Sequence, residues 1–371
     1  MRLKLGVCVA FGLAVTAARA VEPTLKEAFA GKFLVGTALN EAQFDERNAA
    51  DAALVKKQFN SVSPENVLKW EVVHPQPGKY NFASADRFVQ FGESNGMFVV
   101  GHVLIWHAQT PKWVFQDEGG QPLSREALVE RMRDHIHTVV GHYKGRIRGW
   151  DVVNEALNED GTMRQTPWMK IIGDDYLRLA FQFAHEADPS AELYYNDYSL
   201  ENEAKLKGAV ALLKPLKDGG VPVTGVGVQG HDNMQFPTVQ QEEAAVSQLG
   251  ALGLKVMITE LDVSVLPYPD ASTSADISKR LAEDPKWNPY PGGLPDQMQE
   301  ALAKRYADLF GVFVKHSDVV SRVTFWGVTD GTSWLNNWPI RGRTNYPLLF
   351  DRNGKPKLAF ASVVGTAGKR N

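Results

Sequence analysis

The sequence predicts an α/β fold, a single (β/α)8 or TIM barrel with a long Pro-rich loop after its seventh strand. Three observations point there. Eight short apolar runs are spaced along the chain, and amphipathic stretches of helical periodicity separate them. Eight is also the number of parallel strands that closes a ring. The chain has 371 residues, 44% hydrophobic and 22% charged, so it can bury a large core and is no disordered tail. The periodicity alone also allows an open doubly wound sheet.

The elements follow in chain order. Residues 1–20 read as an export signal, and residues 21–371 as the barrel. Arg2 and Lys4 make a short positive start, an apolar stretch runs from Leu5 to about Ala18, and Ala18-Arg19-Ala20 has the small-x-small pattern of a cleavage site. That stretch falls short of the roughly 20 residues a bilayer span needs, so no membrane anchor is expected after cleavage. The expected location is secreted, either periplasmic or extracellular. The only cysteine, Cys8, lies in this segment, which leaves the mature chain no thiol for a disulfide, a nucleophile or a metal.

Strands are predicted at residues 34–38, 61–63, 98–102, 147–153, 193–195, 225–228, 255–258 and 323–326. Ser124 is placed to cap a helix carrying Leu128, Met132, Ile136, Val139 and Tyr143. Thr238 and Gln241 have capping-box spacing before Ala244, Ala245 and Leu249. A late helix rests on Ala301, Tyr306, Leu309, Phe310 and Phe313. Residues 264–297 carry six prolines and the pair Gly292-Gly293, a loop composition. In a barrel that loop sits on the active face.

Charge excludes one class of partner. The formal charge is −3, and losing Arg2, Lys4 and Arg19 with the signal makes it −6, so no nucleic-acid surface is expected. Chemistry on a parallel barrel belongs to the C-terminal strand ends. Those ends carry Glu65-Asn66 with Lys69, then His102 with Trp106 and Gln109, then Asn154-Glu155, Asn196-Asp197-Tyr198, Gln229-Gly230-His231, Glu260-Leu261-Asp262, and Trp326 with Trp334. A lone Glu or Trp at such a place is ordinarily a helix-start charge or a core residue. Their convergence on one rim argues for a site. Two acids, Glu155 and Glu260, one protonated and one ionised, are the minimum needed to break a glycosidic bond. Nine tryptophans suit the apolar faces of sugar rings.

These segments resemble glycoside hydrolase family 10, whose members are mostly endo-β-1,4-xylanases. The resemblance rests on Trp150-Asp151-Val152-Val153-Asn154-Glu155 and Ile258-Thr259-Glu260-Leu261-Asp262, supported by Glu65-Asn66-Val67-Leu68-Lys69-Trp70, Gly101-His102-Val103-Leu104-Ile105-Trp106-His107, Gly227-Val228-Gln229-Gly230-His231 and Thr324-Phe325-Trp326-Gly327-Val328-Thr329-Asp330. It covers about residues 34–360 and departs at Val103, where Thr is commoner. It implies a (β/α)8 barrel and a retaining endo-xylanase acting on xylan and xylo-oligosaccharides, as a monomer, with no cofactor and no metal. Glu260 is implied as nucleophile and Glu155 as acid and base, its pKa raised by the nearby charged nucleophile. His231 is implied to hydrogen-bond Glu260 with Asp262 orienting it, and Asn154 to bind the 2-hydroxyl of the reacting sugar. Glu65, Asn66, Lys69, His102, Trp106 and Gln109 are implied to form the non-reducing-side subsites. Trp326 and Trp334 stack there, with Trp334 crowding out a glucose hydroxymethyl. Tyr198 and Gln229 are implied to face the leaving group or the reacting sugar.

Competing readings are a β-1,4-glucanase or aryl-glycosidase on the same fold, a non-catalytic carbohydrate-binding barrel, and an esterase. Gly225-Val226-Gly227-Val228-Gln229-Gly230 fits a dinucleotide fingerprint, but its glycines lie in a strand and Pro237 follows. Gly92-Glu93-Ser94-Asn95-Gly96 fits a serine-hydrolase elbow, but with the helix before it and the strand after. His135 and His137 diverge on a helix and are not expected to share a metal.

Overall fold

The computed structural model describes residues 22–268 and 275–368. The segment read as an export signal, with Cys8, and residues 269–274 of the Pro-rich loop lie outside the described residues. Eight strands form the ring: β1 Leu34–Leu39, β2 Ser61–Pro64, β3 Phe98–Ile105, β4 Gly149–Asn154, β5 Glu192–Asp197, β6 Gly225–Val228, β7 Lys255–Ser264 and β8 Val320–Phe325. Each pairs in parallel with the next. The pairing of β8 with β1, Val323 opposite Val35, closes the barrel. The closed ring rules out the open sheet.

A helix returns the chain after every strand. These are α1 Ala49–Gln58, α2 Ala83–Ser94, α3 Arg125–His142, α4 Tyr176–Ala187, α5 Glu203–Asp218, α6 Val239–Gly250, α7 Asp296–Lys315 and α8 Leu358–Thr366. Their starts are chemically marked. Ser124 Oγ accepts from the Ala127 amide, and Thr238 and Gln241 cap α6 reciprocally. The inward stripe of α7 is Leu302, Tyr306, Leu309, Phe310 and Phe313, with Ala301 only half-buried at its margin. Gly92 lies within α2 and Gly96 turns the chain out of it at φ 64°, so the elbow-like motif ends a helix. His135 is buried against His74, while His137 faces out to Glu186 at 3.2 Å.

Two strands run further than their apolar cores. β7 continues to Ser264 because the short strand His231–Asn233 pairs with it, His231 opposite Asp262. β3 continues to Ile105, opposite Val153 of β4. Both extensions carry polar side chains to the barrel mouth. The Pro-rich loop folds back over that mouth. The Leu281 amide donates to Pro339 O at 3.0 Å, the Thr344 amide to Asn288 Oδ1 at 2.9 Å, and Tyr346 Oη to Tyr290 O at 2.7 Å.

Candidate active site

The strand ends surround a cavity of about 460 Å³. Glu65, Asn66 and Lys69 enter it after β2, His102 from β3, and Trp106 and Gln109 after β3. Asn154 and Glu155 come from the end of β4, Gln229 and His231 from beyond β6, Glu260 from β7, and Trp326 and Trp334 from beyond β8. Asp262, expected as the group that orients His231, and Tyr198, expected to face the leaving group or the reacting sugar, do not line the cavity. Asp262 stands behind His231. Tyr198 is buried, with its hydroxyl accepting from Arg164 at 2.7 Å and its ring packed on Lys205.

Glu155 is positioned by its backbone. The chain leaves β4 through a left-handed residue, Glu155 at φ 58°, a conformation that costs a non-glycine residue about 1 kcal/mol or more. Its amide donates to Asn196 O at 2.9 Å. Its carboxylate accepts from Trp106 Nε1 at 2.8 Å, Asn154 Nδ2 at 3.1 Å and Gln229 Nε2 at 3.2 Å. Glu260 accepts from Asn196 Nδ2 at 2.9 Å and lies 3.2 Å from His231 Nε2. Asn196 also donates to Asn154 Oδ1 at 2.9 Å. One hydrogen-bonded chain, Glu155–Asn154–Asn196–Glu260, therefore joins the two acids.

Their surroundings push the two carboxyls apart. Burial raises Glu155 to about 7, the Asp197 charge adds to that rise, and the Trp106 and Gln229 hydrogen bonds oppose it. The Glu260 charge acts in the same direction but more weakly than Asp197, so the nucleophile-first explanation of the shift is corrected. Burial raises Glu260 as well. There the His231 hydrogen bond, the charges of His102 and His231 and the Asn196 hydrogen bond outweigh it and hold the group below the usual carboxylate range. Burial also opposes a charged His231, yet Asp262 and Glu260 raise that imidazole to about 10. Asp262 Oδ1 lies 3.1 Å from His231 Nδ1, and its Oδ2 accepts from Trp334 Nε1 at 2.7 Å. Glu155 and Glu260 thus give the cavity one carboxylic acid and one carboxylate, the pair that acid-assisted displacement at an acetal carbon requires.

The rest of the rim matches ring-shaped polyols. Lys69 donates to Asn66 Oδ1 at 3.0 Å and to Gln109 Oε1 at 2.9 Å, so three polar side chains hold one another in place. His102 is fixed through Nδ1 by Asp151 at 2.9 Å and meets Trp326 edge-on at 5.4 Å. Trp334 stacks on Trp338 at 4.6 Å. Sequence reasoning did not single out Asn337, Trp338, Ala275, Ile277 and Arg280, which also line the cavity. The last three belong to the Pro-rich loop, whose composition says where the chain is irregular and not where it goes. Asn196 was visible as a strand-end residue, but only the β4–β5 register, Asn154 opposite Asn196, puts it between the acids.

Comparison with known proteins is consistent across sequence and fold. Residues 24–366 match the model of glycosyl hydrolase family 10. An endo-1,4-beta-xylanase A of Xylanibacter ruminicola is 44% identical over 352 residues, 95% of each chain. An endo-1,4-beta-xylanase of Geobacillus stearothermophilus is 40% identical, over 92% of this chain and 98% of that one. A solved GH10 endoxylanase from a sugarcane soil metagenome superimposes with a TM-score of 0.89 at 45% identity, covering 92% of this chain and 99% of its own. A mutant structure in complex with xylotriose superimposes with a TM-score of 0.82 at 36% identity, over 92% of this chain and 99% of that chain.

Proposed function

The chain belongs to glycosyl hydrolase family 10 and is an endo-1,4-β-xylanase, and from that premise we propose that Glu260 and Glu155 cleave internal β-1,4 bonds of xylan by double displacement. The observation that carries this reading is the pair of joined carboxyls with opposite proton affinities on one cavity. Glu260, ionised, attacks the anomeric carbon. The glycosidic C–O bond breaks as Glu155 gives its proton to the leaving oxygen, and a glycosyl ester of Glu260 forms. Glu155, now a carboxylate, takes a proton from water. The hydroxide attacks the same carbon and frees Glu260, with net retention.

The remaining side chains serve that exchange. His231, held by Asp262, keeps Glu260 charged. Asn154 binds the 2-hydroxyl, a contact that tightens in the transition state. Glu65, Asn66, Lys69, His102, Trp106 and Gln109 hold the non-reducing side, Gln229 faces the reacting sugar, and Trp326 and Trp334 stack against the rings. Trp334 is pinned by its bond to Asp262, so it cannot swing aside for a hydroxymethyl group. Xylose has none, which favours xylan over cellulose.

The test is kinetic. Glu260→Ala and Glu155→Ala should each lose about 10⁴-fold or more in kcat on xylan. Azide should restore the first variant, with an inverted glycosyl azide as product. Turnover near the parent rate in either variant rejects the assignment. We further propose that the enzyme is exported and works as a monomer. The basic-then-apolar N-terminus supports export. Only Leu281 and Leu358 are large exposed hydrophobics among the described residues, which supports a single chain. Native mass spectrometry of the secreted protein should find one chain starting at Val21. Retention of residues 1–20 or a dimer mass counts against the respective claim.

A further inference from the structure

Behind the acid lies a buried ion pair that the displacement itself does not use. Asp197 and Lys205 are both fully buried, neither lines the cavity, and Lys205 Nζ sits 2.9 Å from Asp197 Oδ1 and 3.5 Å from the centre of the Tyr198 ring. Asp197 also accepts from Tyr195 Oη at 2.5 Å, the Tyr198 amide at 2.9 Å and the Leu157 amide at 3.4 Å. Leu157 is two residues beyond Glu155, whose own amide bonds to Asn196 O. The turn that carries the acid is therefore docked on the end of β5. Burying two charges has a large desolvation cost, and apolar side chains of similar volume are often as stable or more so. Stability alone gives little reason to keep such a pair here.

The cycle assigned above supplies one. Glu155 must hold a proton before the first step and take one in the second. Two negative charges act on it, and they differ in kind. Glu260 loses its charge when it becomes an ester, so its influence switches off when Glu155 has to act as a base. Asp197 makes and breaks no bond in the cycle, so no step switches its influence off. On the reading given under the proposed function, we infer that the Asp197–Lys205 pair is a positioning and charge-setting element for Glu155: Asp197 docks its turn and favours its protonated form, and Lys205 trims that influence. The other groups facing Glu155 are Glu260 from β7, Lys69 beyond β2, Arg164 in the loop after β4 and Tyr198 after β5, with Trp106, Asn154 and Gln229 as neutral donors. Among the two members of the pair, the charges are opposite, so removing each should move Glu155 in opposite directions.

The experiment is a set of pH–rate profiles on xylo-oligosaccharides. Asp197→Asn should bring the alkaline limb of kcat/KM down by about one pH unit, which is roughly a tenfold loss near pH 8 and little change near pH 5. Lys205→Gln should move the same limb up. For dinitrophenyl xylobioside, whose leaving group needs no proton, kcat/KM reports the first step without acid assistance and should stay within about threefold of the parent value in both variants. If Asp197→Asn does not fold, Tyr195→Phe takes its place; it strips a donor from Asp197 and should move the limb up. Limbs that stay fixed, or that shift in one direction for both Asp197→Asn and Lys205→Gln, overturn the inference. So does an equal loss on both substrates, which marks a purely structural role. Glu155→Gln separates the two levels: its limb should vanish, and a limb that persists rejects the assignment of Glu155 rather than the pair.

Discussion

Glu155 and Glu260 carry the same functional group, and everything that distinguishes them is what touches them. Glu155 meets three neutral donors and a neighbouring carboxylate, whereas Glu260 meets an imidazolium and an amide donor. Asn196 is the residue on which both sides depend, because its one amide group donates to Asn154 and to Glu260 while its oxygen accepts from Thr259 Oγ1 at 2.6 Å. Asn196→Ala removes a donor from the charged form of Glu260, so that carboxyl should hold its proton to higher pH. The acid limb of kcat/KM should move toward neutrality, and kcat/KM at the optimum should fall by about 10- to 100-fold, the worth of one hydrogen bond to a charged group. Profiles on xylo-oligosaccharides decide it; an unmoved acid limb removes Asn196 from the role. Residue types at this scale were legible in the sequence, because acids, amides and indoles stand at the strand ends. Their protonation order was not. It depends on burial and on Asp197, which lies a strand away from Glu155 and reaches it only through the β4–β5 register.

The elements show why that register holds. A Cβ at Gly227 of β6 would stand 2.2 Å from Asn196 Oδ1 and 2.7 Å from Thr259 Cγ2, so only glycine leaves room for the amide that links the acids. Gly101 of β3 does the same for Trp150, whose ring would meet a Cβ at 2.1 Å. Small residues on one strand thus accept large or polar ones from the next, the alternation that fills the interior of a closed barrel. The glycines that imitate a dinucleotide fingerprint therefore have a packing explanation. Strands and helices were legible because each is fixed by local periodicity and by caps such as Ser124 and Thr238. Two strand ends and the Pro-rich loop were not. β7 reaches Ser264 only because His231–Asn233 pairs with it, and residues 275–281 reach the cavity through contacts with the loop beyond β8. Both facts are long-range pairings, which no window of neighbouring residues contains.

At the scale of the whole molecule, the ring must stay closed at the pH where its acids work, and one buried cluster outside the site bears on that. His74, after β2, and His135, on α3, face each other through their Nδ1 atoms at 3.1 Å. Trp70 stacks on His135 at 3.5 Å and Tyr80 on His74 at 3.9 Å, so the pair ties the loop that carries Lys69 and Trp70 to the outer helical layer. Burial lowers His74 to about 4, with the nearby Asp134 opposing that shift, and burial with the neighbouring His74 lowers His135 well below its ordinary value. Both imidazoles are therefore neutral in the fold down to acid pH, while in the unfolded chain they take up protons near pH 6.5. The unfolded state binds more protons throughout that interval, so stability should fall as pH drops from about 6.5 toward 4, and fall less steeply once His74 also protonates in the fold and only His135 still differs between the two states. Melting curves across this window should show a lower Tm at each step down, with no matching change between about pH 7 and 8 from this pair. His135→Gln removes one of the two titrations and should make the acid slope shallower, at a cost of about 0.5–1.5 kcal/mol at neutral pH from the lost stacking on Trp70. The two effects have different pH dependence, so they separate in one set of melts. A variant that melts lower by the same amount at every pH would mean that the imidazole pair only packs and does not couple protons to folding.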